Sequence, residues 1–274
     1  MRGFKFQNVA TSYVEDRAAV RVRGADHVSV EDCRFDNTVF GIFVEHSQDV
    51  TIRGNHLTAR GGSEVSAGNG IHLWYCKRAH IERNEIHGHR DGIYLEFVED
   101  SMIRGNLSSH NVRYGLHFMF SHHDEYVENT FEENGAGVAV MYSTHVTMRG
   151  NAFVHNWGPS SYGLLLKEIS DSEIIENRFL ENTVGLHAEG SNRLRVTGNE
   201  FNANGYAARI LANSMGGTFT RNNFTGNAFD VVTNSRQNFN TFESNYWGEY
   251  RGYDLDRDGV GDVPAADREA VAVA

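Results

Sequence analysis

Four stretches of the chain read almost alike: VTIRGNHL at 50–57, VTMRGNAF at 146–153, LRVTGNEF at 194–201 and GTFTRNNF at 217–224. Their shared form, apolar-x-apolar-x-x-Asn-x-apolar, recurs nearly from end to end. It is marked by Asn55, Asn84, Asn106, Asn129, Asn151, Asn177, Asn199, Asn222 and Asn245, with Cys33 in the equivalent slot one repeat earlier. From Cys33 onward the spacings are 22, 29, 22, 23, 22, 26, 22, 23 and 23 residues. Eight to fifteen residues after each slot comes a strand that opens on glycine: GIFV at Gly41, GIHL at Gly70, GIYL at Gly92, GLHF at Gly115, GVAV at Gly137, GLLL at Gly163 and GLHA at Gly185. Ala208 takes that place in the next repeat.

Period two inside short strands, turn formers between them and a super-period of 22 to 23 residues predict an all-β fold. The architecture is a right-handed parallel β-helix, a solenoid of about ten coils. It reads as one domain over residues 1–264, with an acidic loop at 254–262 and a tail at 265–274. Stacking sets equivalent residues of neighbouring coils ~4.8 Å apart, so the asparagines become a structural ladder of amides bonding along the axis. Strand alternation points Ile71, Leu73, Ile93, Leu95, Leu116, Phe118, Val138 and Val140 inward.

Composition narrows the function. With 36 acidic against 25 basic residues the net charge is −11, which argues against a nucleic-acid partner or direct binding to an anionic membrane. There are 28 Gly, 25 Asn and 2 Pro, yet 40% of the residues are hydrophobic, enough for a proper core. No window holds the ~18 apolar residues of a membrane span. The opening MRGFKFQNVA lacks the apolar run of a secretory signal, so the chain reads as soluble. Cys33 and Cys76 fall in different columns of different coils, beyond the ~7 Å Cα reach of a disulfide, and are expected to be free buried thiols.

Residues two and four positions past each glycine face outward: His72 and Trp74, Tyr94 and Glu96, His117 and Met119, Ala139 and Met141, Leu165 and Lys167, His187 and Glu189. Such polarizable and apolar groups on an outer column suggest a recognition strip. The two longest coils carry their extra residues between the ladder asparagine and the next glycine. The loops 59–69 and 155–162 are therefore expected to wall a cleft whose floor carries Tyr94, His117 and Met141. Met119 and Met141 share a column in adjacent coils, ~4.8 Å apart, and His117 lies ~7 Å along the strand from Met119. Two thioethers and an imidazole select Cu(I) over harder ions. His122 and His123 follow as entry or auxiliary ligands, whereas His72, ~10 Å away, belongs to a different contact. Near the C-terminus, Asp254, Asp256, Asp258 and Asp262 with the carbonyl of Val260 reproduce the oxygen spacing of a Ca2+ loop. Ala265 stands where a full loop has its bidentate acid. A bound Ca2+ would pin the last coil.

The stretches GIYLEF (92–97), RYGLHFMFS (113–121), NGAGVAVMYS (134–143), YGLLLKEI (162–169) and NYWGEYRGYDLDRDGVGDVP (245–264) resemble the NosD family. That family consists of periplasmic β-helical accessory proteins of nitrous-oxide reductase maturation. The likeness runs from about Gly41 to Pro264. It implies a β-helix of the CASH type in the periplasm that works with the membrane and ATPase subunits of an ABC transporter. It also implies receipt of copper from a lipoprotein copper chaperone, support of copper-site assembly in the reductase, and no turnover of its own. Contact with the membrane would run only through the transporter. Carried over residue by residue, the family-like strip is Tyr94, Glu96, His117, Met119, Met141, Tyr142, Lys167 and Glu168. Two departures stand out. The chain opens in mid-pattern at Phe4-Lys5-Phe6, without a leader or leading coils, and stops at DREAVAVA (267–274), so it reads as a shortened member with open end coils. Two other readings compete: a β-helix lyase or epimerase using Tyr94, Glu96, His117 and Lys167 on a uronate polymer, and a structural solenoid without a ligand. The scarcity of Lys and Arg on the strip disfavours the first.

Overall fold

A computed structural model describes residues 1–9, 17–60, 62–257 and 261. Within them there is no helix, and strands run from Lys5–Gln7 to Tyr246–Trp247 in three parallel sheets of 11, 10 and 10 strands. Every third strand in sequence is a neighbour in space, which is the connectivity of a solenoid with three strands per coil. One regular coil shows the order. Strand Leu107–Ser109 lies in the first sheet, Tyr114–Met119 in the second and Glu125–Val127 in the third.

The sequence repeat spans a corner. In VTIRGNHL, Ile52 is buried from the third sheet and Leu57 from the first, with Asn55 at the bend between them. All nine predicted asparagines stand in one ladder, and Cys33 caps it by donating its backbone N–H to Asn55 Oδ1 at 2.9 Å. Each rung saturates its amide. Asn129 Oδ1 accepts from Asn106 N and Asn106 Nδ2 at 3.0 and 2.9 Å, while Asn129 Nδ2 donates to Ile103 O and to Asn151 Oδ1. Buried amides are tolerated here because none of their donors or acceptors is left unmade. A second ladder, unread in the sequence, runs five residues later through Asn111, Asn134, Asn156, Asn182, Asn204 and Asn227.

The predicted inward residues are all buried. From the first sheet, Phe131, Phe153, Phe179, Phe201, Phe224 and Trp247 form a continuous stack with centroids 4.5 to 5.7 Å apart. Both cysteines are free and buried, and burial pushes the Cys76 thiol up. Of the acidic loop, Asp254 and Asp256 are described, whereas Asp258, Val260 and Asp262 lie outside the described residues.

Candidate functional site

The outer face of the second sheet is a grid whose columns follow from register. Glu96 pairs with Met119, Met119 with Met141, Met141 with Lys167, and Lys167 with Glu189. The thioethers of Met119 and Met141 thus stand on adjacent rungs of the outer face, both partly exposed. Trp74 precedes Glu96 in this column, and Lys167 pairs with Glu189 at 3.6 Å.

Two residues earlier on each strand, Phe43, His72, Tyr94 and His117 form a column of rings with centroids 4.5, 4.7 and 5.0 Å apart. This column is less open than strand alternation suggests. His117 is 4% exposed and His187 6%. The reason lies at the sheet's leading corner, where Tyr114 turns back so that its ring meets His117 at 4.8 Å. There too sits Asp91, fully buried, with Oδ2 3.8 Å from His117 Nδ1 and 3.4 Å from Arg90 Nε. Neither oxygen of Asp91 and neither ring nitrogen of His117 has a hydrogen-bond partner among the described residues. The guanidinium of Arg90 supplies the nearby positive charge that a buried carboxylate needs. Burial, reinforced by Arg90, drives His72 down to about 3, so its imidazole is neutral. Burial and the Glu96 carboxylate raise Tyr94 to about 12, keeping its phenol protonated.

Immediately past the methionine column the chain turns through left-handed residues, and here the sequence reading missed most of a feature. His46, Tyr75, Phe97, Phe120 and Tyr142 stack with centroids 5.3, 4.5, 5.2 and 5.1 Å apart and ring planes within 12°. Of these only Tyr142 belongs to the predicted strip, and Glu168 continues the column. Tyr75 and Phe120 are 45% and 37% exposed, an apolar ridge beside the thioethers. The signal was available: each of these residues lies five positions after a strand-opening glycine. Beyond the ridge, His122 Nδ1 is 3.1 Å from Thr144 Oγ1, and His123 stacks on His145 at 4.8 Å.

Both long loops leave the corner between the first and second sheets. They therefore flank the Asp91 and Tyr114 end of the grid, and Glu64 in the first loop reaches Arg113 at 3.4 Å. Met119 and Met141 end their strands at the other side, about 17 Å away along a six-residue strand. Along this strand the histidine column stands two residues before the methionines, between them and the loop edge.

The model of a family described as "Periplasmic copper-binding protein (NosD)" matches residues 59–252. A curated relative, the "Probable ABC transporter binding protein NosD" of Stutzerimonas stutzeri, is 27% identical over 267 residues, covering 90% of this chain and 60% of its own length. Among solved structures, the periplasmic alginate epimerase AlgG superposes with a TM-score of 0.65 at 15% identity, over 88% of this chain and 64% of its own. The Dettilon tailspike protein gives 0.64 at 15%, over 84% and 56%. The surface adhesin PfbA of Streptococcus pneumoniae gives 0.59 at 10%, over 80% and 64%. An epimerase, a tailspike and an adhesin at these identities share the fold alone.

Proposed function

Because the chain belongs to the NosD family of periplasmic copper-binding proteins, we propose that it is a periplasmic accessory protein that carries Cu(I) as cargo for assembly of the copper sites of nitrous-oxide reductase. In this reading it relays the ion between a lipoprotein copper chaperone, the membrane and ATPase subunits of an ABC transporter, and the reductase, without catalysing a reaction. The observation that carries it is the pairing of Met119 with Met141 on the outer face.

Two polarizable sulfurs one rung apart suit a soft monovalent ion and offer little to Mg2+, Ca2+ or Mn2+. The buried cysteines leave thioether and imidazole as the accessible soft donors. Within this proposal His117 supplies the third ligand, since its ring nitrogens are unengaged, and His122 and His123 act as auxiliary groups around the corner. The aromatic ridge Tyr75, Phe97, Phe120 and Tyr142 gives a partner an apolar surface beside the ion, which favours direct transfer over release into water. Glu96 and Lys167 bracket the two methionines in the same column and set the charge a partner must complement.

Anaerobic titration with Cu(I) against a competing chelator tests this. One site is expected, weakened tenfold or more, about 1.4 kcal/mol, in a Met119→Ala/Met141→Ala variant. Equal affinity in variant and parent would remove the site. The neighbouring Tyr94, His117 and Asp91 favour a second reading, proton abstraction from a uronate polymer. It requires unsaturated or epimerised product from alginate that disappears in His117→Ala.

A further inference from the structure

On the outer face of the first sheet, well away from the methionine column, three donor groups converge that no part of the copper reading uses. His56 lies on strand His56–Thr58, and Glu85 and His87 lie on the neighbouring strand Glu85–His87. Glu85 is the direct rung partner of His56, and His87 stands two residues further along on the same outward face. His56 Nδ1 is 3.0 Å from Glu85 Oε2, and one ligand atom from each of the three residues lies within 4.8 Å of the others. Donors around a tetrahedral ion bound at ~2.0–2.1 Å are ~3.4 Å apart, so small side-chain rotations close the site. We propose that His56, Glu85 and His87 form a binding site for a borderline divalent cation, Zn2+ or Cu2+, distinct from the Cu(I) site.

The surrounding hydrogen bonds prepare one of the ligands. His87 Nδ1 is 2.6 Å from Ser109 Oγ, the same hydroxyl is 3.1 Å from His110 Nδ1, and His110 Nε2 is 2.8 Å from Glu133 Oε2. A carboxylate can only accept, so Glu133 fixes the His110 proton on Nε2 and leaves Nδ1 as an acceptor. Ser109 then donates its single proton to His110 and must accept from His87 Nδ1–H. His87 is thereby held as the tautomer whose Nε2 lone pair is free for an ion. Such outer groups orient metal-binding imidazoles and raise their basicity. At His56 the ion replaces the proton now shared with Glu85 Oε2. Three protein ligands leave a coordination position open on an exposed surface. Without thioether or thiolate, the set discriminates against Cu(I).

Calorimetric titration of the full chain with Zn2+, and electron paramagnetic resonance of the Cu2+-loaded protein, test the proposal. A single tight site with nitrogen hyperfine structure from two imidazoles is expected. His56→Ala and His87→Ala should each weaken Zn2+ binding at least tenfold, and Glu85→Gln should do so with no change in fold. Glu133→Gln, which touches no ion, should weaken it several-fold by releasing the tautomer. Met119→Ala/Met141→Ala should leave Zn2+ binding as in the parent, which separates this site from the copper cargo site. Parent-like affinity in the His56→Ala/His87→Ala double variant, or binding lost instead in His123→Ala, would overturn it.

Discussion

At the scale of single residues, many of the solenoid's buried polar side chains complete ladders, and Asp124 shows the cost of a near miss. Its Oδ1 accepts the backbone N–H of Ser101 at 2.8 Å, while Oδ2 is buried with no hydrogen-bond partner among the described residues. Burial holds its carboxyl well above the usual range, against the pull of the Ser101 bond and with a further push from Asp100 and Glu99. The sign follows from linkage. The native chain keeps this proton longer than the unfolded one, so stability falls as pH rises from the ordinary carboxylate value of 3.8 toward the raised one. Asp124→Asn is expected to stabilise the protein at pH 8 by ~1–3 kcal/mol and to lose that advantage in acid. Urea unfolding at the two pH values checks this, and a variant weaker than its parent at pH 8 would count against it. The adjacency of Met119 and Met141 was legible at this scale, because the repeat fixes register. The burial of His117 was not, since it depends on Tyr114 and Asp91, which precede the glycine where strand alternation no longer applies.

At the scale of the element, the glycine that opens seven of the ten second-sheet strands exists because the coils touch there. A Cβ added at Gly115 would stand 2.8 Å from Gly137 O, 2.8 Å from Asn134 Nδ2 and 3.0 Å from Phe131 Cδ1. The nearest of these includes the backbone of the next coil, which cannot swing aside as a side chain can. Gly115→Ala should therefore destabilise by ~1–3 kcal/mol through overpacking, read as a lower denaturant midpoint at unchanged slope. A midpoint equal to that of the parent would show that the corner has room. The strand-opening glycines were visible in the sequence, and so was the first asparagine ladder. The second was equally present, as an asparagine five residues after Asn106, Asn129, Asn151, Asn177, Asn199 and Asn222. It is harder to read because its residues follow the short strand after the bend at Gly54-Asn55 and its equivalents, outside the repeated apolar-x-apolar-x-x-Asn-x-apolar form.

At the scale of the whole molecule, stacking converts sequence distance into adjacency: residues 22 apart become neighbours on adjacent rungs. The regular strands pair only with those of the coils beside them, so side chains are held at fixed spacing along one axis. The two long loops stand at the leading edge of the second sheet, and the methionines and aromatic ridge stand at its trailing edge. The copper K-edge absorption spectrum of the anaerobically loaded protein tests the central claim most directly. Sulfur scatterers are predicted in the first shell of Cu(I), to be lost together in Met119→Ala/Met141→Ala. A first shell of nitrogen and oxygen alone in the parent would contradict the assignment.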